Sequence, residues 1–306
     1  MSIIAHRKIF FAIAAALVGA SVFAVSFFGL RFGIEFTGGA LLEITYTDAR
    51  PELSDLEKAA DALRGETGDV VFQETGEKGL LVRVQKFDAE NTRAAFLDAL
   101  SLSGVAPFEE ERFSFIGPTI GKELAGKALT ALALVAIGIV LFIAFAFRQV
   151  SKPVSSWKYG VIAIAALVHD VAIPVGVFAV LGAFYPNFQV DVLFVTALLV
   201  ILGYSVNDTI VVFDRIRENL RREGKDRDYA DFDFETLVGQ SVTQTIARSV
   251  NTGLTTLFVL IALFALGGAP TAHFALTLII GVIAGTYSSI FLAAPLLVSW
   301  GLRRKE

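Results

Sequence analysis

Six long apolar runs constrain this chain more than anything else in it. They lie at about Ile9–Leu30, Ala128–Phe147, Tyr159–Phe184, Val192–Phe213, Ile246–Leu266 and Phe274–Leu302. A membrane-crossing helix needs roughly 20 mostly apolar residues, and each run reaches that length. In lipid the backbone must satisfy its own hydrogen bonds, so runs of this kind form a bundle of spanning helices. Composition agrees: 55% of the 306 residues are hydrophobic, 18% are charged, and the mean hydropathy is +0.65. Soluble domains carry about 25% charged residues. High apolar content with a net charge of −4 excludes disordered, collagen-like and nucleic-acid-binding chains. Without cysteine there is no disulfide framework, thiolate metal site or cysteine nucleophile. No GxxxxGK[ST] loop occurs, so the chain itself is not expected to hydrolyse ATP. The first run exceeds the roughly 7–15-residue apolar core of a signal peptide and reads as a retained span.

The cations set an orientation. Arg7 and Lys8 precede the first run, and Arg148, Lys152 and Lys158 lie between the second and third. Arg215, Arg217, Arg221, Arg222, Lys225 and Arg227 lie between the fourth and fifth, and Arg303-Arg304-Lys305 close the chain. The alternate connections, Tyr185–Asp191 and Gly267–His273, hold no Lys or Arg. Positive charge stays inside, so both termini are expected in the cytoplasm. Three parts follow: 1–30 with the first span, 31–126 outside, and 127–306 with the remaining spans.

The outside part holds 10 basic and 18 acidic residues, a balance of −8. Alternating strands are expected at Ala40–Tyr46, Val70–Glu74, Leu80–Lys86 and Phe108–Phe115. Helices are expected from Ser54, with Ser54 and Glu57 as a capping box, and over Glu90–Leu102. The order β-α-β-β-α-β is the ferredoxin-like arrangement. The expected fold is a polytopic α-helical membrane protein of six transmembrane helices, with one ferredoxin-like α+β extracytoplasmic domain between helices 1 and 2.

Ionisable side chains inside apolar spans cost at least about 2.5–3.5 kcal/mol unless they face partners or water. His169-Asp170, Asn207-Asp208 and Arg248 are such residues. His169 sits roughly 15 Å and Asp208 roughly 12 Å from the cytoplasmic ends of their helices at 1.5 Å per residue. Arg248, Asn251, Thr252 and Thr255 form a polar stripe at helical spacing, expected to face Asp208. Two readings stand for the pair: a static Asp–Arg contact holding helices together, or a relay in which Asp208 alternates between protonated and Arg248-paired states, with His169 and Asp170 beside it. Gly281 and Gly285 read as helix packing.

Several motifs now resemble a known family. Gly33-Ile34-Glu35-Phe36-Thr37-Gly38-Gly39 is similar to the G-[I/L]-D-F-x-G-G element of the bacterial SecD/SecF translocase subunits. Phe115-Ile116-Gly117-Pro118-Thr119-Ile120-Gly121 resembles their V-G-P-x-V-G element before the second span. His169-Asp170, the run Gly203–Asn219 and Thr243-Gln244-Thr245-Ile246-Ala247-Arg248 resemble the SecF branch. Glu35 departs from the usual Asp, and Ala247 stands where some relatives carry a polar residue.

The resemblance implies a fold of the resistance–nodulation–division superfamily in the bacterial inner membrane. It implies a SecD partner, the SecYEG channel, the SecA ATPase, the associated components YajC and YidC, and preprotein substrates. It implies no enzyme cofactor, the driving ion being a proton, or sodium in some marine relatives. The family's functional aspartate and arginine fall on Asp208 and Arg248. Gly38, Gly39, Gly117, Pro118 and Gly121 are expected to be the joints between domain and membrane. Two alternatives are a half of a small-molecule exporter of the same superfamily and an intramembrane aspartyl protease. The contexts Val168-His169-Asp170 and Val206-Asn207-Asp208 differ from the Y-D and G-x-G-D pair of such proteases.

Overall fold

The computed structural model describes residues 3–87, 92–147, 155–223 and 233–302. After a 3-10 turn at Ile3–His6, α1 (Arg7–Phe28) leads to the short α2 (Ile34–Thr37) and strand β1 (Gly39–Tyr46). Then come α3 (Leu53–Asp61), α4 (Arg64–Thr67), β2 (Val70–Thr75), β3 (Gly79–Val84), α5 (Thr92–Leu100) and β4 (Phe108–Ile116). The rest is helical: α6 (Pro118–Ala146), α7 (Ser156–Phe184), α8 (Val192–Glu223), α9 (Phe234–Leu266) and α10 (Ala269–Tyr287). A π-helix, Ser288–Ala293, joins α10 to α11 (Ala294–Leu302) without a break.

Among the described residues, six helical stretches are long and apolar enough to cross a membrane, with α10, the π-helix and α11 counting as one. The sheet domain between the first and second has strand order β2-β3-β1-β4, antiparallel at every pairing. That order and the element sequence are ferredoxin-like, as the alternation pattern predicts. Its core gathers Leu42, Ile44, Leu80, Val82 and Val84 from the sheet with Leu56 and Phe96 from the helices. The Tyr46 hydroxyl, also buried, donates to the Leu100 carbonyl at 3.0 Å.

The expected capping box is not formed. α3 begins at Leu53, one residue before Ser54, and Glu52 holds the cap position without a side-chain hydrogen bond to a backbone N–H of the helix. The β-region backbone of Glu52 already starts the helix, so Ser54 lies inside the first turn and cannot cap it. The expected start at Glu90 lies outside the described residues, as do Arg148, Lys152, Lys225, Arg227 and Arg303–Lys305. α8 and α9 run well past their apolar segments, to Glu223 and from Phe234. Asp233 caps α9 by accepting from the Glu235 N–H at 3.0 Å, and Glu235 pairs with Arg7 at 2.8 Å.

Two apolar clusters fill the bundle. One, with Ile4, Phe147, Tyr159, Phe213 and Leu297, occupies the end that carries the N-terminus. The other, with Phe36, Phe178, Phe194, Leu198 and Leu278, lies toward the sheet domain. α8 and α10 pack closely because Gly281 and Gly285 have no side chains. A Cβ on Gly281 would run into Ile201, and one on Gly285 would lie 3.1 Å from the Ser205 Cβ. The polar site lies between these clusters.

Phe96 is 1% exposed and anchors α5 on the sheet. Phe96→Ala is expected to destabilise the sheet domain by about 3–5 kcal/mol, because the ring's burial is lost and a cavity remains. Amide exchange of β1 and β3 in the full chain checks it. Unchanged protection would show that α5 contributes little.

Candidate functional site

α7 brings His169 and Asp170 into the interior, where they are 2% and 0% exposed. The Asp170 Oδ1 lies 2.8 Å from the His169 Nδ1. Its Oδ2 accepts from the Ser205 hydroxyl on α8 and from the Ser288 hydroxyl at 2.7 Å. Pro174 stands one turn on and has no N–H to give to the Asp170 carbonyl. Asp208, 9% exposed, is held in the same manner. Its Oδ1 accepts from the Ser249 hydroxyl on α9 at 2.6 Å, and its Oδ2 from the Ser289 hydroxyl.

The π-helix makes this double arrangement. Its wider turn presents the consecutive Ser288 and Ser289 to two different carboxylates. One stretch of chain therefore ties Asp170 on α7 to Asp208 on α8 at one depth. Hydrogen bonds to an ionised acceptor are the stronger kind, which offsets part of the cost of a carboxylate in a dry bundle. The His169 ring stacks on Tyr287 at 5.8 Å, while its Nε2 is buried without a hydrogen-bond partner. Tyr287 in turn donates to the Phe10 carbonyl on α1 at 2.8 Å.

The polar stripe of the fifth span does not face Asp208. Arg248, Asn251, Thr252 and Thr255 are exposed, and α9 is turned so that Ser249 points inward instead. Ser249 lies about 100° round the helix from Arg248, so the two cannot share a face. Arg248 lines a cleft with Val211, Asp214, Arg215, Glu218 and Gln244. Among the described residues no ion pair joins it to Asp208. Asn207 is also exposed, on the outside of α8. The structure thus groups His169, Asp170 and Asp208 and leaves Asn207 and Arg248 on the bundle surface. Reasoning from sequence missed the four serines. Their only signal was hydroxyls at 205, 249, 288 and 289 within apolar spans.

The expected joint residues also meet. Both crossings between membrane and sheet domain pass through one knot, where a Cβ on Gly38 would lie 2.9 Å from the Pro118 Cα. A Cβ on Gly121 would lie 2.8 Å from the Gly38 nitrogen and 3.0 Å from the Phe36 carbonyl oxygen. Gly38 and Gly39 take φ of 83° and 135°. Gly117 has ordinary extended backbone and leads into Pro118 in the first turn of α6.

Six apolar helices long enough to span and an antiparallel α+β domain after the first define a multi-pass membrane protein, with two serine-held carboxylates inside its bundle. The family model for the C-terminal part of the SecD/SecF protein export membrane proteins matches residues 99–303, and that for the SecD/SecF GG motif matches 23–49. The chain belongs to the SecD/SecF family, as a protein translocase subunit of the SecF type. It is 40% identical to protein translocase subunit SecF of Thermobaculum terrenum, over 98% of this chain and 94% of that one. Against SecF of Anaerolinea thermophila the identity is 39%, over 98% and 94%. The crystal structure of SecDF from Thermus thermophilus, a translocon-associated membrane protein, superposes with a TM-score of 0.79 at 31% identity. That match covers 98% of this chain and 38% of the longer SecDF chain.

Proposed function

We propose that this chain, joined to a SecD-like half, uses an ion gradient to help draw preproteins outward through the Sec machinery. The proton-motive force, or sodium in its place, is the energy source in this reading. The observation that carries it is the buried pair Asp170 and Asp208, each accepting from two serine hydroxyls contributed by different helices. Two carboxylates kept ionisable inside a bundle are costly, and such sites mark ion pathways in membrane proteins. Arg248 is the withdrawn member: its approach to Asp208 would favour the ionised form, and its withdrawal the protonated one. His169, beside Asp170, completes the relay.

Orientation follows the cation distribution, with both termini in the cytoplasm and the sheet domain outside. SecYEG, SecA, YajC and YidC are the associated components in this reading. The glycine–proline knot is the joint through which the domain and the bundle move each other. Clamping the domain to the bundle by cross-linking is expected to stop stimulation of export.

A partner half is required because Asn207, Arg248, Asn251 and Thr252 lie on an exposed face of α8 and α9, where lipid would leave them unsatisfied. The existence of single-chain SecDF proteins, such as that of Bacillus subtilis, supports a SecD-like half in that place. The test is purification in mild detergent followed by reconstitution with the Sec channel. A twelve-span assembly that gives gradient-dependent preprotein export is expected. Full activity from this chain alone, without a partner half, would overturn the assignment.

A further inference from the structure

Glu35, the unusual residue of the glycine-rich motif, takes no part in the relay. Two backbone bonds pin its neighbourhood to the α7–α8 connection: Gly33 N–H to the Val190 carbonyl at 2.9 Å, and Val190 N–H to the Arg31 carbonyl at 2.7 Å. The Glu35 carboxylate then lies across Gly33, where a Cβ would strike its Oε2 and would also sit 3.2 Å from the Asp191 Cβ. The Glu35 Oε2 is buried with no hydrogen-bond partner. Asp191 caps α8, accepting from the Phe194 N–H at 2.7 Å.

The sheet domain faces this pair with Arg83. Along β3, Val82 and Val84 point to the domain's own helices, so Leu81 and Arg83 point the other way. Arg83 is nonetheless 8% exposed, and Gln73 beside it 4%, because that sheet face rests on the bundle. The Arg83 Nη1 donates to the Gln73 Oε1 at 2.8 Å. His273 near the start of α10 is a further titratable group close to Arg83, its ring 4.2 Å from that of Phe188. A cavity of about 330 Å³ opens beside the cluster, with Arg31, Asp69 and Gln189 in its wall.

One guanidinium here confronts two carboxylates. We propose that Glu35, Asp191 and Arg83 form a docking seam that closes with uptake of a proton. In this seam the sheet domain seats on the bundle when one carboxylate is protonated and lifts when both are ionised. Burial pushes Glu35 above the usual carboxylate range, and the charge of Asp191 pushes it the same way, while Arg83 opposes both. Burial also pushes Asp191 up, against the Phe194 N–H and Arg83. A group whose affinity for protons rises on docking favours the docked state at low pH. That preference is present below the ordinary carboxylate range and is lost as pH climbs through the raised values. The proton comes from the solution that bathes the domain. The seam does not depend on the Asp208 relay, and its readout is a distance rather than transport.

The absence of native cysteine makes the test direct. Spin labels at Glu77→Cys, on the exposed turn between β2 and β3, and Tyr185→Cys, exposed after α7, report the gap in the full chain held in lipid nanodiscs. A single short distance is expected at mildly acidic pH, with a longer component growing as the pH is raised. Glu35→Gln and Asp191→Asn should each keep the short distance at alkaline pH, and the short distance at acid pH verifies that each variant still folds. His273→Gln should leave the transition in place. A wild-type distance that ignores pH, or a transition that survives both carboxylate substitutions, would overturn the seam.

Discussion

Asp208→Asn is expected to abolish gradient-dependent stimulation of export while leaving the chain inserted, folded and assembled with its partner half. Asparagine has the size of aspartate; its one carbonyl oxygen can still accept from the Ser249 or the Ser289 hydroxyl, and its Nδ2 can donate to the oxygen of the other once that hydroxyl turns. A neutral group also removes the cost of burying a charge, so the bundle should be no less stable than before. What disappears is the ability to take up and release a proton. Arg248→Met should give the same loss by removing the only cation positioned to approach Asp208 from α9. Asp214→Asn, half-exposed and paired with Arg217 within α8, should do far less. Measured as preprotein export in vesicles with and without an imposed gradient, wild type should respond and Asp208→Asn should fall to the rate seen without a gradient. A merely structural role predicts the opposite pattern: impaired assembly, or export that still responds.

That prediction rests on residues legible to different degrees. The spans could be read because roughly 20 apolar residues in a row admit few other structures, and the strands because alternation with a turn at Gly76 is a short-range signal. Asp170 and Asp208 stood out because a carboxylate in an apolar helix is costly enough to require a reason. Helix rotation was not legible. The stripe at 248, 251, 252 and 255 is the most polar face of α9, and in a chain that buried all its polar groups internally it would point inward. Here it points outward and Ser249 takes the inward place, the arrangement that the proposed second half would call for. The π-helix was hidden for another reason. Ser288-Ser289-Ile290-Phe291-Leu292-Ala293 has no distinctive residue pattern, and its extra width comes from the tertiary demand that two adjacent serines reach two carboxylates. The capping box failed because helix starts depend on one backbone conformation, here that of Glu52.

Gly39→Ala should be the most damaging single methyl group added to the sheet domain. Gly39 opens β1 with φ of 135°, a backbone region in which side chains are strained by about 1–3 kcal/mol. The new Cβ would also meet the Val84 carbonyl oxygen, with the Gln85 carbonyl oxygen at 3.1 Å. Both obstacles are backbone, and β3 cannot retreat without breaking its ladder to β1, where Ala40 opposes Val84. Gly29→Ala separates the two contributions. Gly29 also has positive φ, 74°, but a Cβ there would meet nothing within 4 Å, so only the conformational cost applies, about 1–3 kcal/mol. Limited proteolysis of the full chain should show early cleavage within the sheet domain for Gly39→Ala and near wild-type resistance for Gly29→Ala. Because Gly39 adjoins the knot where Gly38 packs on Pro118, export stimulation should fall with it even though Asp170 and Asp208 are untouched. If Gly39→Ala resists protease as well as Gly29→Ala does, the close approach of β1 to β3 is not what fixes the domain above the bundle.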